Sequence, residues 1–123
     1  MATILMIDDD ADFSGLASVH FTKLGYTVAL AQNGKEGLAK AIALKPDLIF
    51  LDIVMPEMNG IEVLRELQAA DETADVPVIV MSGKYFDSGM IEIFTQERNC
   101  RAFLGKPVAL AQLQEKVEAL LKK

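Results

Sequence analysis

The chain contains very little cysteine and lacks tryptophan. Its 123 residues include one cysteine, Cys100, and no tryptophan. A single cysteine cannot form an internal disulfide, so a reducing compartment is expected. We interpret Cys100 as a small buried hydrophobe rather than a reactive thiol.

Basic residues are outnumbered, and long hydrophobic runs are lacking. The chain has 12 lysines and arginines against 18 acidic residues, for a net charge of −6. Direct contact with nucleic acid is not expected, because binding to its backbone depends on clustered positive charge. No stretch approaches the roughly 20 apolar residues of a membrane span, and the opening "MATILMIDDD" lacks the long apolar core of a signal peptide. These features predict a cytoplasmic protein with no membrane association.

What the chain does contain is 51% hydrophobic residues, arranged as short runs and amphipathic segments. We expect one domain over residues 1–123, because nothing in the chain reads as a linker. The predicted strands are residues 3–7, 27–30, 48–51, 76–81 and 102–104. The predicted apolar helix stripes are Phe13, Leu16, Ala17, Phe21 and Leu24; Leu38, Ala41 and Ile42; Ile61, Leu64 and Leu67; and Leu110, Leu113, Val117 and Leu120. The remaining helix, the fourth along the chain, is expected somewhere within residues 88–97.

Helix ends are marked by capping residues. Asp10 or Asp12 is expected to cap the first helix, and Gly25 is expected to close it. Pro46 should stop the second helix, and Asn59 with Glu62 reads as a capping box for the third.

The regular alternation of strands and helices predicts an α/β fold. We expect a five-stranded parallel sheet in the flavodoxin-like order 2-1-3-4-5, with helices on both faces. In such sheets, binding sites form at the carboxyl ends of the strands.

Polar residues stand at those strand ends. The first strand is followed by Asp8 and Asp9, the third by Asp52, the fourth by Ser82 and the fifth by Lys106. Each residue alone has an ordinary explanation, as a turn residue, a helix cap or a solvated lysine. Together they would place three carboxylates at one edge, where their charges repel unless a cation compensates them. Mg²⁺ suits such a site because it prefers oxygen ligands and retains several waters.

Four motifs in the chain resemble those of receiver domains of two-component response regulators, and the resemblance extends over essentially the whole length. The motifs are "ILMIDDD" at residues 4–10, "DLIFLDIVMPEMNG" at 47–60, "VIVMSG" at 78–83 and "FLGKP" at 103–107. The resemblance implies that Asp52 accepts a phosphoryl group from a phosphohistidine on a histidine kinase or a histidine phosphotransfer protein. It also implies that the domain is not an enzyme but a phosphoacceptor that assists its own phosphorylation and dephosphorylation.

The same resemblance assigns roles to the neighbouring residues. Asp9, Asp52 and the backbone carbonyl of Val54 would bind Mg²⁺, and Asp8 would hold a water of the ion. Lys106 would pair with Asp52 and then with the phosphoryl oxygens, to which Ser82 would donate its hydroxyl.

A switch is implied as well. Phosphorylation would draw Ser82 toward Asp52, and Phe103 would turn inward. The fourth helix, fifth strand and fifth helix would then signal to a downstream protein target. An alternative is that Phe103 is a fixed core residue. The bond between Lys106 and Pro107 is expected to be cis.

Some residues depart from the family pattern. The loop "GKYFDSG" at residues 83–89 is longer than usual. Val54 is apolar, so we expect that it does not orient an attacking water and that the phosphorylated form is comparatively long-lived. His20, the one histidine, is interpreted as a surface or packing residue.

Three other functions remain to be weighed. A haloacid-type phosphatase needs a second acid two residues after its nucleophile, where this chain has Val54. A flavin-binding module would need a Ser/Thr-rich phosphate loop after the first strand, where this chain has acids. A phosphorylation-independent interaction module of the same fold is the remaining alternative.

Overall fold

The fold of the chain is an alternation of five strands and five helices. A computed structural model describes residues 2–52, 60–82, 88–105 and 108–121, with the backbone alone for 88–90. The strands are β1 Thr3–Ile7, β2 Thr27–Ala31, β3 Leu48–Asp52, β4 Val78–Ser82 and β5 Cys100–Gly105. The helices are α1 Ala11–Lys23, α2 Gly34–Leu44, α3 Gly60–Ala69, α4 Ser88–Thr95 and α5 Leu110–Leu121. Each of these helices falls short of the length and apolar character that a membrane crossing requires.

The five strands form one parallel sheet in the order β2-β1-β3-β4-β5, which confirms the predicted topology. Strand β2 lies at an edge, and β1 and β3 are neighbours in the middle. The register aligns Ile7 with Leu51, Asp52 with Met81, and Ser82 with Gly105. The carboxyl ends of the four strands that carry the predicted site residues are therefore side by side.

Alternate residues of the central strands face two separate hydrophobic cores. Leu5 and Ile7 of β1 pack with residues of α2, α3 and α4, such as Ala41, Leu64 and Phe94. The other face packs against α1 and α5, with a core that includes Ile4, Met6, Phe21, Phe50 and Leu113. Because both faces are covered, these strands are continuous apolar runs rather than alternating ones.

Several predicted boundaries and burial assignments were wrong in detail. Strand β4 begins at Val78 rather than Val76, because the backbone N–H of Val76 donates to the carbonyl of Thr73 in the preceding turn (3.1 Å). Strands β2, β3 and β4 each end one residue later than predicted, and β5 extends in both directions. Leu16 and Leu24 do not face the core: their exposed fractions are 65% and 45%.

The burial pattern of α1 explains the error. Its buried positions are Ser14, Ala17 and Phe21, spaced by three and four residues. Leu16 precedes Ala17 by one residue, which turns it by about 100° around the helix and out of that stripe. Ile42 in α2 is exposed for the same reason, one position after buried Ala41.

Helix α1 has the capping residues expected from the sequence. Asp10 is its N-cap, as predicted for one of the two acids there. Leu24 is the C-cap, and Gly25 follows it with a φ of 103°. The N–H groups of Gly25 and Tyr26 donate to the carbonyls of Thr22 and Phe21 at 3.0 and 3.1 Å, which is a Schellman motif. Glycine takes this left-handed conformation because it has no Cβ.

Helix α2 ends before Pro46 and approaches β1 very closely. Its C-cap, Lys45, has a left-handed conformation with a φ of 49°. Within the helix, a Cβ added to Gly37 would lie 2.6 Å from Cδ1 of Ile7. Helix α2 can therefore pack at this distance only because residue 37 has no side chain. The predicted cap of α3 at Asn59 lies outside the described residues.

Candidate functional site

Four polar residues are brought to one edge of the sheet by the ends of three adjacent strands. Asp8 and Asp9 directly follow β1, Asp52 is the last residue of β3, and Ser82 is the last residue of β4. Since β1, β3 and β4 are consecutive in the sheet, these residues form a row across its centre. Strand β2 contributes no carboxylate to this row, in keeping with its position at the edge.

The three aspartates form a compact acidic cluster. Asp8, Asp9 and Asp52 each offer one carboxylate oxygen, and these oxygens all lie within 4.8 Å of one another. Asp8 and Asp52 are buried, with exposed fractions of 2% and 5%, whereas Asp9 is exposed. Two ionised carboxylates 4.8 Å apart would repel each other by about 3.5 kcal/mol at an effective dielectric constant of about 20. A cation could bind at this cluster and would offset that repulsion.

The donor atoms of this cluster fit a hard divalent ion. All three side chains provide carboxylate oxygens, with no nitrogen or sulfur among them. Oxygen ligands of this kind suit Mg²⁺ or Ca²⁺, whereas Zn²⁺ and other transition metals favour sites that include histidine or cysteine. The one exposed member, Asp9, leaves the cluster open to solvent on one side, so an ion could keep several of its waters.

The carboxylate of Asp8 is held by the turn between β1 and α1. The backbone N–H of Asp8 donates to the carbonyl of Ala31 at the end of β2 (3.0 Å). Its side-chain Oδ1 accepts a hydrogen bond from the backbone N–H of Asp10 (2.8 Å). The sequence predicted that Asp10 or Asp12 caps the helix, but it did not predict this second contact, because the contact depends on the conformation of the turn.

Ser82 and Phe103 lie on the side of the site formed by β4 and β5. Ser82 is buried and aligned with Gly105 of β5. Phe103 is half-buried against the core beneath α2, α3 and α4, and its ring centroid is 5.7 Å from that of Phe94 in α4. A contact between β5 and α4 is therefore in place beside the site.

Several of the predicted residues lie outside the part of the chain that the structure describes. Lys106 and Val54 are among them, and so are Pro107 and most of the long loop at 83–89. Their roles stay predictions from the sequence.

The histidine and the cysteine of the chain, His20 and Cys100, both have structural roles. Nε2 of His20 is 2.9 Å from Oε1 of Gln114, which links α1 to α5, and the imidazole ring packs edge-on against Phe21. Burial raises the pKa of the Cys100 thiol to about 11, against a weaker opposing effect of a hydrogen bond to the carbonyl of Ala102. Cys100 is therefore a buried, protonated thiol, as the sequence indicated.

Comparisons with known proteins agree with this architecture. The family model described as "Response regulator receiver domain" matches residues 4–118. The chain is 35% identical to the DNA-binding dual master transcriptional regulator RpaA of Synechocystis, over 100% of this chain but 50% of that protein. It is also 35% identical to protein PilH of Pseudomonas aeruginosa, with 98% of each covered.

Solved structures of other proteins have the same fold. Chemotaxis protein CheY4 of Vibrio cholerae superposes with a TM-score of 0.89 at 25% identity, covering 98% of this chain and 99% of that one. The chain thus spans about half the length of RpaA (50%) and nearly all of PilH (98%) and CheY4 (99%).

Proposed function

The chain belongs to the response regulator receiver domain family, and from this premise we propose that it accepts a phosphoryl group on Asp52 from a phosphohistidine. The donor would be a histidine kinase or a histidine phosphotransfer protein. The observation that carries the proposal is the acidic cluster: three carboxylate oxygens within 4.8 Å of one another, one of them from buried Asp52 at the end of the central strand β3.

The proposal includes a Mg²⁺ ion at this cluster, held by Asp9, Asp52 and the backbone carbonyl of Val54. When bound, the ion would supply positive charge that offsets the repulsion between the carboxylate of Asp52 and the incoming phosphoryl group. Asp8 would orient a water of the ion through the carboxylate oxygens that the turn after β1 holds in place.

The chain's own contribution to the transfer is positioning. One oxygen of Asp52 attacks the phosphorus, and the P–N bond breaks with its electron pair passing to the imidazole nitrogen of the donor. Because Asp52 is 5% exposed and ends a strand that is buried throughout, it needs little reorganisation to attack. Ser82 and Lys106 would bind the oxygens of the transferred group, the former by donating its hydroxyl and the latter by its charge.

The output would be a change at the surface formed by α4, β5 and α5. In our proposal, phosphorylation draws the hydroxyl of Ser82 toward Asp52, and Phe103 moves inward from its present half-buried position. The contact between Phe103 and Phe94 would transmit this movement to α4. A downstream protein would read the altered surface, and apolar Val54 would slow hydrolysis of the phosphorylated form.

Acetyl phosphate tests the proposal without a cognate kinase. In the presence of Mg²⁺, intact-mass spectrometry should show the gain of one phosphoryl group, and EDTA should abolish this gain. The matched control is Asp52→Asn, which removes the nucleophile at nearly constant size. A wild-type protein that stays unmodified under these conditions, or an Asp52→Asn variant that is modified equally, would refute the proposal.

A further inference from the structure

Asp10 caps helix α1 with its side chain and contacts Asp8 of the acidic cluster with its backbone, although it is not a member of the cluster. Its Oδ1 accepts hydrogen bonds from the backbone N–H groups of Asp12 (3.1 Å) and Phe13 (3.2 Å). Its carbonyl accepts the first hydrogen bond of α1, from the N–H of Ser14 (3.0 Å). With a φ of −83° and a ψ of 96°, Asp10 has the extended conformation of an N-cap residue.

The same extended conformation directs the backbone N–H of Asp10 away from the helix. This N–H donates to Oδ1 of Asp8 at 2.8 Å, so it faces the acidic cluster. Asp8 itself has a fixed backbone, because its own N–H is bonded to the carbonyl of Ala31. With the backbone held by β2, the hydrogen bond from Asp10 restrains the rotation of the Asp8 carboxylate.

We propose that Asp10 is a positioning residue for the Mg²⁺ site: its side chain caps α1, and the capped turn orients the carboxylate of Asp8 for the ion. This inference rests on the proposed function. Asp10 acts through Asp8 and does not bind the ion. Removal of the cap lets the turn adopt other conformations, and binding of the ion must then restore the oriented one.

Charge and capping can be separated by substitution at residue 10. Asp10→Asn and Asp10→Ser each keep a side-chain oxygen that can cap the helix, and both remove the negative charge. Asp10→Ala removes charge and cap together. The comparison of the alanine variant with these two variants therefore isolates the cap from the electrostatic attraction of one more carboxylate.

The chain offers a matched control at the start of α2. Asn33 caps that helix, where its Oδ1 accepts a hydrogen bond from the N–H of Glu36 (2.8 Å). Asn33 follows edge strand β2, which contributes no carboxylate to the cluster. Asn33→Ala should therefore lower the melting temperature much as loss of the α1 cap does, without a change in Mg²⁺ affinity.

Isothermal titration with Mg²⁺ tests the inference on the full chain, at a temperature well below the melting transition of every variant. We expect Asp10→Ala to bind Mg²⁺ about fivefold more weakly than Asp10→Asn. This ratio is the free energy that a typical N-cap contributes, converted to a ratio of dissociation constants. Asp10→Ser should match Asp10→Asn, and Asn33→Ala should match the wild type. If the alanine variant does not fold, Asp10→Gly takes its place; because glycine lacks the capping oxygen but is a tolerated N-cap, the expected weakening relative to Asp10→Asn is then about 1.5- to 2-fold.

The outcomes distinguish the inference from the function on which it rests. Equal Mg²⁺ affinity of Asp10→Ala and Asp10→Asn, with a wild type that binds the ion, overturns the positioning role and leaves the proposed function standing. An equal loss of affinity in Asn33→Ala also overturns it, because the effect would then be one of general stability. A wild type that binds no Mg²⁺ overturns both.

Discussion

Helix α2 lies so close to β1 at Gly37 that an alanine at this position should destabilise the protein. In Gly37→Ala, the new Cβ would lie 2.6, 2.8 and 2.9 Å from Cδ1, Cγ1 and Cγ2 of Ile7. Ile7 is completely buried, and Cγ1 and Cγ2 are attached directly to its Cβ, so a rotation at the end of the side chain cannot relieve all three contacts. The helix or the strand must move.

Two opposing free energies decide the outcome. Replacing glycine by alanine inside a helix normally stabilises a protein by about 1 kcal/mol. Overpacking of a tight core costs about 1–3 kcal/mol, and here the upper part of that range applies because three contacts are violated at once. We therefore expect Gly37→Ala to lower the free energy of unfolding by about 1–2 kcal/mol.

Gly15 in α1 provides the matched control. Apart from its own helix and chain neighbours, no heavy atom of the described residues lies within 4 Å of a Cβ added there. Gly15→Ala should raise the free energy of unfolding by about 0.5–1 kcal/mol. Urea denaturation of both variants measures the difference. A Gly37→Ala variant as stable as Gly15→Ala would refute the reasoning on packing between α2 and β1.

Three further predictions concern other parts of the chain. Lys45→Gly should raise the free energy of unfolding by about 0.5–1 kcal/mol in thermal melts, because glycine adopts the left-handed C-cap of α2 without strain; a loss of stability would contradict this. Cys100 should react with iodoacetamide at pH 8 only after unfolding, because the raised pKa keeps its thiol protonated in the folded protein. Since the pKa of this thiol rises from 9.0 to about 11 on folding, the stability that the protonated thiol contributes should be lost as the pH rises through this range. The variant Cys100→Ala should not show this loss. Free Mg²⁺ at about 100 times its Kd should stabilise the wild type by about 2.7 kcal/mol, and Asp9→Asn by much less; equal stabilisation in calorimetry would argue against the acidic cluster as the ion site.

The fold could be predicted from the sequence because each element carries its own signal. Strands β1, β3 and β4 are apolar runs that can only be buried on both faces, and the amphipathic segments between them require parallel connections. Helix orientation was less certain. Ser14 and Ala17 are buried in α1, whereas Leu16, the more hydrophobic residue, is exposed. Hydrophobicity alone does not distinguish these two faces.

The site could be predicted as far as its residues follow from topology. Asp8, Asp9 and Asp52 directly follow or end neighbouring strands, so their convergence follows from the order of the sheet. The hydrogen bond from Asp10 to Asp8 could not be predicted, because it depends on the dihedral angles of a turn rather than on residue type. Its one signal in the sequence was the run of three aspartates at the start of a helix.

Phosphoryl transfer to Asp52 is tested most directly by locating the phosphoryl group itself. After treatment with acetyl phosphate and Mg²⁺, reduction with borohydride converts an aspartyl phosphate to homoserine, and peptide mass spectrometry identifies the position. We expect homoserine at residue 52 and at no other aspartate. Modification at Asp8, Asp9 or Asp10 instead, or at none of the aspartates, would contradict it.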